Sequence, residues 1–143
     1  MTSQTTAQSI SQHLLDQTGR GLLTGDFDIF GACFQYPHKI ETFDGERVVE
    51  DIDAMRAVFF DVRCYYEKSG VTDLVRHCVK AEFRDDKTVS AIHQSRLVAG
   101  STLLQKPYNA FSIIRCIKGK WLVTQSQYAV DDAPHLCRAL VGA

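Results

Sequence analysis

The chain has 143 residues, of which 45% are hydrophobic and 23% are charged, and its formal net charge is −1. This length and this share of apolar residues are typical of one folded domain and exclude an intrinsically disordered chain. Because nucleic-acid binding depends on clustered lysines and arginines, a near-neutral chain without basic blocks is expected to have no nucleic-acid partner.

The five cysteines are widely spaced and form no CxxC pair; they are Cys33, Cys64, Cys78, Cys116 and Cys137. Zinc sites and redox dithiols need closely spaced ligands, so the sequence predicts no metal centre and no cofactor. Free thiols are typical of a reducing compartment. Residues 1–11 lack the basic and apolar regions of a signal peptide, and no run approaches the roughly 20 apolar residues of a membrane span. We therefore expect a cytoplasmic location without membrane association.

Two helices are predicted at the start of the chain. Apolar residues at helical spacing indicate a helix over residues 6–18, preceded by a frayed segment over residues 1–6. Gly19 and Gly21 are expected to end this helix. A second, short helix begins near residue 24 or 26. Its apolar face carries aromatic side chains that are more typical of a core than of a cofactor site, namely Phe27, Phe30 and Phe34.

A hairpin and a long helix follow. Residues 39–43 alternate between polar and apolar, and the Asp44-Gly45 pair after them is a strong signal for a two-residue turn. The returning strand would cover residues 46–50. Apolar residues at helical spacing then predict a helix over residues 51–68, with acidic residues at its start that complement the helix dipole.

From residue 71 to residue 130 the pattern has a period of two, which predicts about four strands. Turns are expected at Asp85-Asp86, Gly100-Ser101 and Lys118-Gly119. The first of these strands has one mainly apolar face, which is expected to face the core. That face carries Val75, His77, Val79, Ala81 and Phe83. After the last strand, Asp131 or Asp132 would cap a short C-terminal helix.

This order of elements predicts a single α+β domain over residues 1–143. Successive antiparallel strands joined by short turns pair as neighbours, and a strongly twisted sheet can wrap around a helix. We therefore expect a conical, curved antiparallel sheet wrapped around the long helix, with short helices at the N-terminus.

Three short segments resemble the nuclear-transport-factor-2-like superfamily, specifically its SnoaL-like branch. They are Gly25-Asp26-Phe27-Asp28-Ile29-Phe30, Ile40-Glu41-Thr42-Phe43-Asp44-Gly45 and Gly119-Lys120-Trp121-Leu122-Val123. The resemblance covers roughly residues 10–130 and rests on the order and spacing of these segments. It implies a cone-shaped pocket between the sheet and the helices, and a homodimer formed through the open face of the sheet. Because this superfamily includes isomerases, cyclases, dehydratases and pockets without known chemistry, the fold does not supply a function.

The proton-transfer residues of the isomerase branch have no counterparts here. At the position of its catalytic carboxylate this chain has Thr42, and a threonine cannot act as a general base near neutral pH. The neighbouring Asp44 is explained by the hairpin turn. On the long strand that would carry the second carboxylate, the polar residues are Asn109, Ser112 and Arg115.

Histidines are the remaining candidates for acid–base chemistry. His77 lies on the mainly apolar face of its strand, where a near-neutral pKa would suit a general acid or base. The expected turn pairs His77 with Gln94, which directs His93 to the opposite face, towards solvent or a dimer partner; a one-residue slip would reverse this. Tyr36 and His38 lie near the predicted pocket opening, and His135 is expected to be solvated.

The last strand carries an unusual row of polar side chains. Gln125 and Gln127 are predicted to share a face with Trp121, while the opposite face carries Thr124, Ser126 and Tyr128. A Lys118-Gly119 turn would pair Ser112 with Gln125. The row fits either a polar dimer face or a hydrogen-bonding wall for a polar ligand. The same two alternatives apply to Arg96 and Arg115, which could bind a carboxylate ligand or lie on a dimer face.

Three functions remain open. The first is a pocket for a small apolar or mixed-polarity ligand, without assigned chemistry. Its expected lining is Tyr36, His38, Phe27, Phe30, Phe59, Val79 and Tyr128. The second is an acid–base isomerase, cyclase or dehydratase with His77 as the catalytic residue facing the pocket. The third is a dimerisation or interaction module whose interior is filled by side chains.

Overall fold

The structure, a computed structural model, describes residues 6–130 and 133–141. Four helices and seven strands are described there. They are α1 (Ala7–Thr24), α2 (Phe27–Gly31), β1 (Phe34–Thr42), β2 (Gly45–Val49), α3 (Ile52–Ser69), β3 (Asp73–Asp85), β4 (Thr88–Ala99), β5 (Thr102–Leu103), β6 (Tyr108–Ile117), β7 (Lys120–Tyr128) and α4 (Pro134–Val141). Residues 1–5 of the frayed segment predicted for residues 1–6, and the cap predicted at Asp131 or Asp132, lie outside the described residues, whereas Thr6 caps α1.

The strands form one strongly curled sheet in the order β2-β1-β7-β6-β4-β3, with β5 paired to β4. Most neighbours are antiparallel, whereas β1 and β7 are parallel. Helix α3 contributes its apolar face to the main core, together with residues of β1, β2, β4 and α4. The α+β class and the curved sheet with helices packed against it are therefore confirmed.

Helix α1 is longer than the sequence predicted. It begins with a capping box, in which the Ser9 backbone N–H donates to the Thr6 hydroxyl at 3.0 Å and the Thr6 N–H donates to the Ser9 hydroxyl. Gly19 and Gly21 do not end it. A Cβ on Gly21 would lie 2.8 Å from the Cβ of Phe30, so this glycine permits α2 to pack closely against α1. The helix ends at Gly25, which has a left-handed φ of 79°.

Helix α3 matches its prediction to within one residue at each end. The Asp51 side chain caps it by accepting the Ala54 N–H at 2.8 Å, and Gly70 ends it in a left-handed conformation. Its buried face consists of Met55, Val58, Phe59, Val62 and Tyr66. Clear caps at both ends and a regular apolar stripe explain why this element was predictable.

In strands β3 and β4, His77 lies opposite Gln94, as predicted, but two register shifts change the pairing nearer the turn, where Phe83 lies opposite Val89. Over residues 74–78 the predicted faces are inverted. Val75 and Val79 are 41% and 55% exposed on the outside of the sheet. Cys78 pairs with the buried His93 and therefore faces inwards with it. The prediction that His93 points to solvent or a dimer partner is wrong, because the outer face of this part of β3 carries Val75 and His77, while Cys78 and its partner His93 face inwards.

Strands β6 and β7 depart from the predicted register. The pairing of Ile117 with Lys120 at the turn is as predicted, but a β-bulge between Ile113 and Ile114 shifts the pairs beyond it. Ser112 therefore lies opposite Ser126, and not opposite Gln125. A bulge adds one residue to one strand and so exchanges the faces of the residues that follow. The hairpin of β1 and β2 is also shifted by one residue, since Thr42 pairs with Gly45.

Phe59 provides a test of the α3 core, with its neighbour Phe60 as a matched control. Phe59 is 1% exposed and packs edge-on against Phe27 at a centroid distance of 5.3 Å, whereas Phe60 is 58% exposed. Since truncating a buried phenylalanine leaves a cavity, Phe59→Ala is expected to lower the free energy of unfolding by about 3–5 kcal/mol. Phe60→Ala should change it by about 0.5 kcal/mol. Urea denaturation measures both values, and equal losses in the two variants would contradict the packing.

Candidate functional site

The concave face of the sheet and helices α1, α3 and α4 enclose a cavity of about 70 Å³. Its helix side is apolar, with Leu14, Met55, Val58, Val62, Leu136 and Leu140 among the lining residues. Its sheet side combines apolar residues such as Ile40, Ile114 and Val123 with most of the polar lining residues, namely His38, Arg76, His93, Ser95, Ser112 and Ser126. An engineered apolar cavity of about 150 Å³ binds benzene, so this space suits a molecule of only a few heavy atoms. The alternative of an interaction module whose interior is filled by side chains stays a prediction.

Strand pairing builds the polar wall. Ser112 on β6 lies opposite Ser126 on β7, and Ser126 in turn lies beside Ile40 on β1. His38, two residues earlier on β1, places its ring Nε2 atom 3.3 Å from the Ser126 hydroxyl oxygen. These three polar side chains are all buried. The curled sheet thus brings polar groups from separate strands together at one side of the cavity.

Each of the two buried histidines has one ring nitrogen without a partner among the described residues. His38 is 1% exposed and His93 is 2% exposed, and both line the cavity. The unpartnered atoms are Nδ1 of His38 and Nε2 of His93. Because buried polar atoms in folded proteins nearly always form hydrogen bonds, these nitrogens can bond to a molecule inside the cavity.

Burial also fixes the charge of these histidines. It lowers the pKa of His38 to about 4, against the opposing effect of hydrogen bonds to the backbone of Val123 and Thr124, and it lowers the pKa of His93 to about 3. At His93 the positive charge of Arg76 acts in the same direction. Both rings are therefore neutral at physiological pH, and each can offer one N–H donor and one acceptor nitrogen.

Arg76 enters the cavity wall from β3. Its Nη1 atom donates to the Thr18 hydroxyl at 2.7 Å and to the Leu15 carbonyl at 3.4 Å, both on α1. The side chain is only partly buried. These bonds fix the guanidinium between the sheet and α1, at one side of the cavity.

The structure places only some of the residues predicted for the pocket at the cavity. Phe30, His38 and Tyr128 line the cavity. The prediction is wrong for the other four residues, which do not line the cavity, namely Phe27, Phe59, Tyr36 and Val79. Phe59 is packed against Phe27 and Phe30, and the Tyr36 hydroxyl donates to the Gly31 carbonyl at 3.0 Å. Val79 lies at a register shift of β3 and is exposed on the outside of the sheet.

The prediction that His77 faces the cavity is also wrong. His77 is exposed, and it lies on the opposite face from Cys78, whose partner His93 faces inwards. The two histidines therefore form no dyad. His135 is exposed on α4, as expected. The structure divides the polar row on β7, since Ser126 is buried in the cavity wall while Gln127 is exposed and donates to Glu41 at 3.2 Å.

Sequence reasoning missed Arg76, His93, Ser95 and Ser112 as cavity residues. The signal for two of them was present in β4, where alternate residues are buried, namely Val89, Ala91, His93, Ser95 and Leu97. The adjacent β3 strand misled the assignment because Val75 and Val79 lie on the outside, whereas Ala81, beyond the first register shift, packs against the core. The position of Ser112 in the cavity wall was not predicted because it depends on the bulge in the pairing of β6 with β7.

Across residues 6–130 and 133–141, no group of three or more histidine, cysteine, aspartate or glutamate side chains is arranged to hold a metal ion. No helix in that same part of the chain combines the length and apolar character needed to cross a membrane. The cytoplasmic location stays a prediction.

Solved structures share this fold at low sequence identity. A domain of unknown function with a cystatin-like fold from Nostoc punctiforme superposes with a TM-score of 0.69 at 12% identity, covering 90% of this chain and 80% of that chain. An NTF2-like protein with a cystatin-like fold from Novosphingobium aromaticivorans gives a TM-score of 0.67 at 14% identity, covering 94% of this chain and 88% of that chain. A protein of unknown function from Mycobacterium tuberculosis gives a TM-score of 0.68 at 13% identity, covering 92% of this chain and 86% of that chain.

These similarities show that the chain has the NTF2-like, cystatin-like fold, as the sequence predicted. No protein-family model matches the chain, and no curated protein matches its sequence. At such low identity the likeness shows the fold alone. Function must therefore be argued from the cavity.

The buried histidines make stability depend on pH. A histidine whose pKa is lower in the folded protein than its usual 6.5 binds fewer protons there than in the unfolded chain, so acid favours unfolding. Between pH 7 and pH 5 each histidine is expected to remove about 2 kcal/mol from the free energy of unfolding. His38→Leu should reduce this loss by about half, whereas His13→Leu, at an exposed position of α1, should not.

Urea denaturation at both pH values measures the difference. If wild type, His38→Leu and His13→Leu showed the same loss of stability on acidification, the assignment of His38 as a desolvated neutral residue would be contradicted.

Proposed function

We propose that this chain is a small-molecule-binding domain of the SnoaL-like type, and that its ligand occupies the cavity between the sheet and the helices. The observation that supports this most strongly is the pair of unpartnered nitrogens on His38 and His93. Leaving a buried polar atom without a hydrogen bond costs about 1–3 kcal/mol, and a ligand in the cavity would remove that cost.

The two sides of the cavity define the ligand's character. An apolar helix side and a hydrogen-bonding sheet side favour a small molecule with an apolar body and one polar end. Neutral histidines and serine hydroxyls can each donate or accept, so they fix the orientation of that polar end. The ligand-binding residues in this proposal are His38, His93, Ser95, Ser112 and Ser126, with Phe30 and Tyr128 retained from the sequence.

Acid–base catalysis is less well supported. The predicted base, His77, is exposed on the outer face of the sheet. His38 and His93 have pKa values of about 4 and about 3, far below the near-neutral value that suits a general base at physiological pH. None of the described residues that line the cavity is an aspartate or a glutamate. The arrangement favours binding over proton transfer.

Propionamide is a suitable neutral probe because it is small and has one apolar and one hydrogen-bonding end. We expect it to bind wild-type protein weakly and to shift the backbone amide signals of His93, Ser95 and Ser112 in two-dimensional ¹H–¹⁵N NMR spectra. His93→Leu removes the unpartnered nitrogen and should weaken binding by roughly fivefold or more. His77→Leu, on the neighbouring strand but on the outer face, is the matched control and should bind as wild type does.

Absence of shifts at the cavity residues up to the solubility limit of propionamide would contradict the proposed function. Equal affinities for His93→Leu and wild type would show instead that His93 does not contact the probe.

We also propose that two copies of the chain associate through the outer face of the sheet. In support, Ile92 is 38% exposed there and lies opposite Phe111, with Val75 exposed on the adjacent strand. Exposed apolar side chains on one face are typical of protein interfaces. Such an interface would leave the cavity, which lies on the concave face, open to ligand.

Analytical ultracentrifugation tests this association. Since a charge buried without a partner opposes an apolar contact, Ile92→Lys is expected to shift the protein from dimer to monomer. Phe60→Lys alters an exposed apolar residue on α3 and should leave the dimer intact. A wild-type protein that sediments as a monomer at all accessible concentrations would contradict the proposal.

A further inference from the structure

One charged side chain lines the cavity among the described residues, and it is positive. The lining includes Arg76 but no lysine, aspartate or glutamate. His38 and His93 are neutral at physiological pH because burial lowers the pKa of each. The interior surface of the cavity therefore carries a net positive charge.

The guanidinium of Arg76 has no acidic partner in the described part of the chain. Its hydrogen bonds go from Nη1 to a hydroxyl and a carbonyl on α1, both of them neutral. Two other arginines do lie beside carboxylates: Arg56 lies 3.2 Å from Asp53, and Arg63 lies 3.5 Å from Glu67. Since removing a charge from water is unfavourable unless it is paired, a partly buried arginine without a counter-ion favours an anion nearby.

The positive charge of Arg76 affects the pKa values of groups around the cavity. Burial raises the pKa of Tyr66 and raises that of Tyr108 to about 12, and the positive charge of Arg76 opposes both increases. The same charge disfavours protonation of His93. An anion entering the cavity would therefore experience an attractive potential from one wall, with little water to screen it.

We propose that the ligand is a small carboxylate, with its charged group at Arg76 and its short apolar chain against the helix side. This inference rests on the proposed function and specifies its ligand class. A carboxylate matches the paired N–H donors of a guanidinium, and Nη1 is the atom already used by Thr18 and Leu15, so Nη2 remains to donate. Ser95, which lies opposite Arg76 on the neighbouring strand, would donate its hydroxyl to the second carboxylate oxygen.

Propionate and propionamide form a matched pair for the test, because they have nearly the same shape and differ in charge. Titrations at pH 7, followed by ¹H–¹⁵N NMR, give both dissociation constants. Since hydrogen bonds to charged groups are about twice as strong as neutral ones, we expect propionate to bind wild type roughly tenfold more tightly than propionamide. Arg76→Gln should remove this preference, whereas Arg76→Lys should retain part of it.

Arg96→Gln is the matched control, because Arg96 lies opposite Val75 on the outer face of the same strand pair. It should bind both probes as wild type does. Should Arg76→Gln fail to fold, the comparison of the two probes on wild-type protein still decides the question.

The possible failures are distinguishable. If propionamide binds in the cavity and propionate binds no more tightly, the carboxylate inference is overturned while the proposed function stands. If neither probe binds, both are overturned. A preference for propionate that survives in Arg76→Gln would also overturn the assignment to Arg76.

Discussion

Desolvation of polar side chains on the concave face of the sheet is the constraint on which the rest of the structure depends. The curled sheet directs His38, His93, Ser95, Ser112 and Ser126 into the interior, where each is at most 8% exposed. Such groups lose water on folding and need new partners. Helices α1, α3 and α4 supply apolar surface, which cannot provide those partners. The cavity, the neutral histidines and the unpartnered nitrogens all follow from this arrangement.

The two faces of the sheet are suited to different tasks. The concave face combines polar side chains with a small enclosed space, whereas the outer face exposes apolar residues such as Ile92 and Val75. β-Bulges decide which residue belongs to which face. The bulge that pairs Ser112 with Ser126 places two hydroxyls inside, although a regular ladder would have paired Ser112 with a glutamine. A single extra residue thus changes the chemistry of the cavity wall.

Local signals in the sequence were sufficient for the elements and the fold. Helix α3 was predictable because Asp51 and Gly70 cap it and its apolar stripe is regular. The cavity residues were less accessible, because alternation identifies two faces but does not say which is inside. In β3 the apolar residues Val75 and Val79 lie on the outer face, so His77 was expected in the pocket and His93 outside, the reverse of the structure. Bulges and the long extension of α1 depend on tertiary packing, which no local pattern encodes.

His38 and His93 are neutral, desolvated rings at the wall of the cavity. Long-range ¹H–¹⁵N NMR of the imidazole nitrogens, recorded from pH 7 to pH 5, tests it most directly because nitrogen shifts distinguish neutral from protonated rings. The claim predicts that both rings stay neutral at pH 5, since their pKa values are about 4 and about 3. Protonation of either ring above pH 6 would show that it is solvated, and would contradict the account.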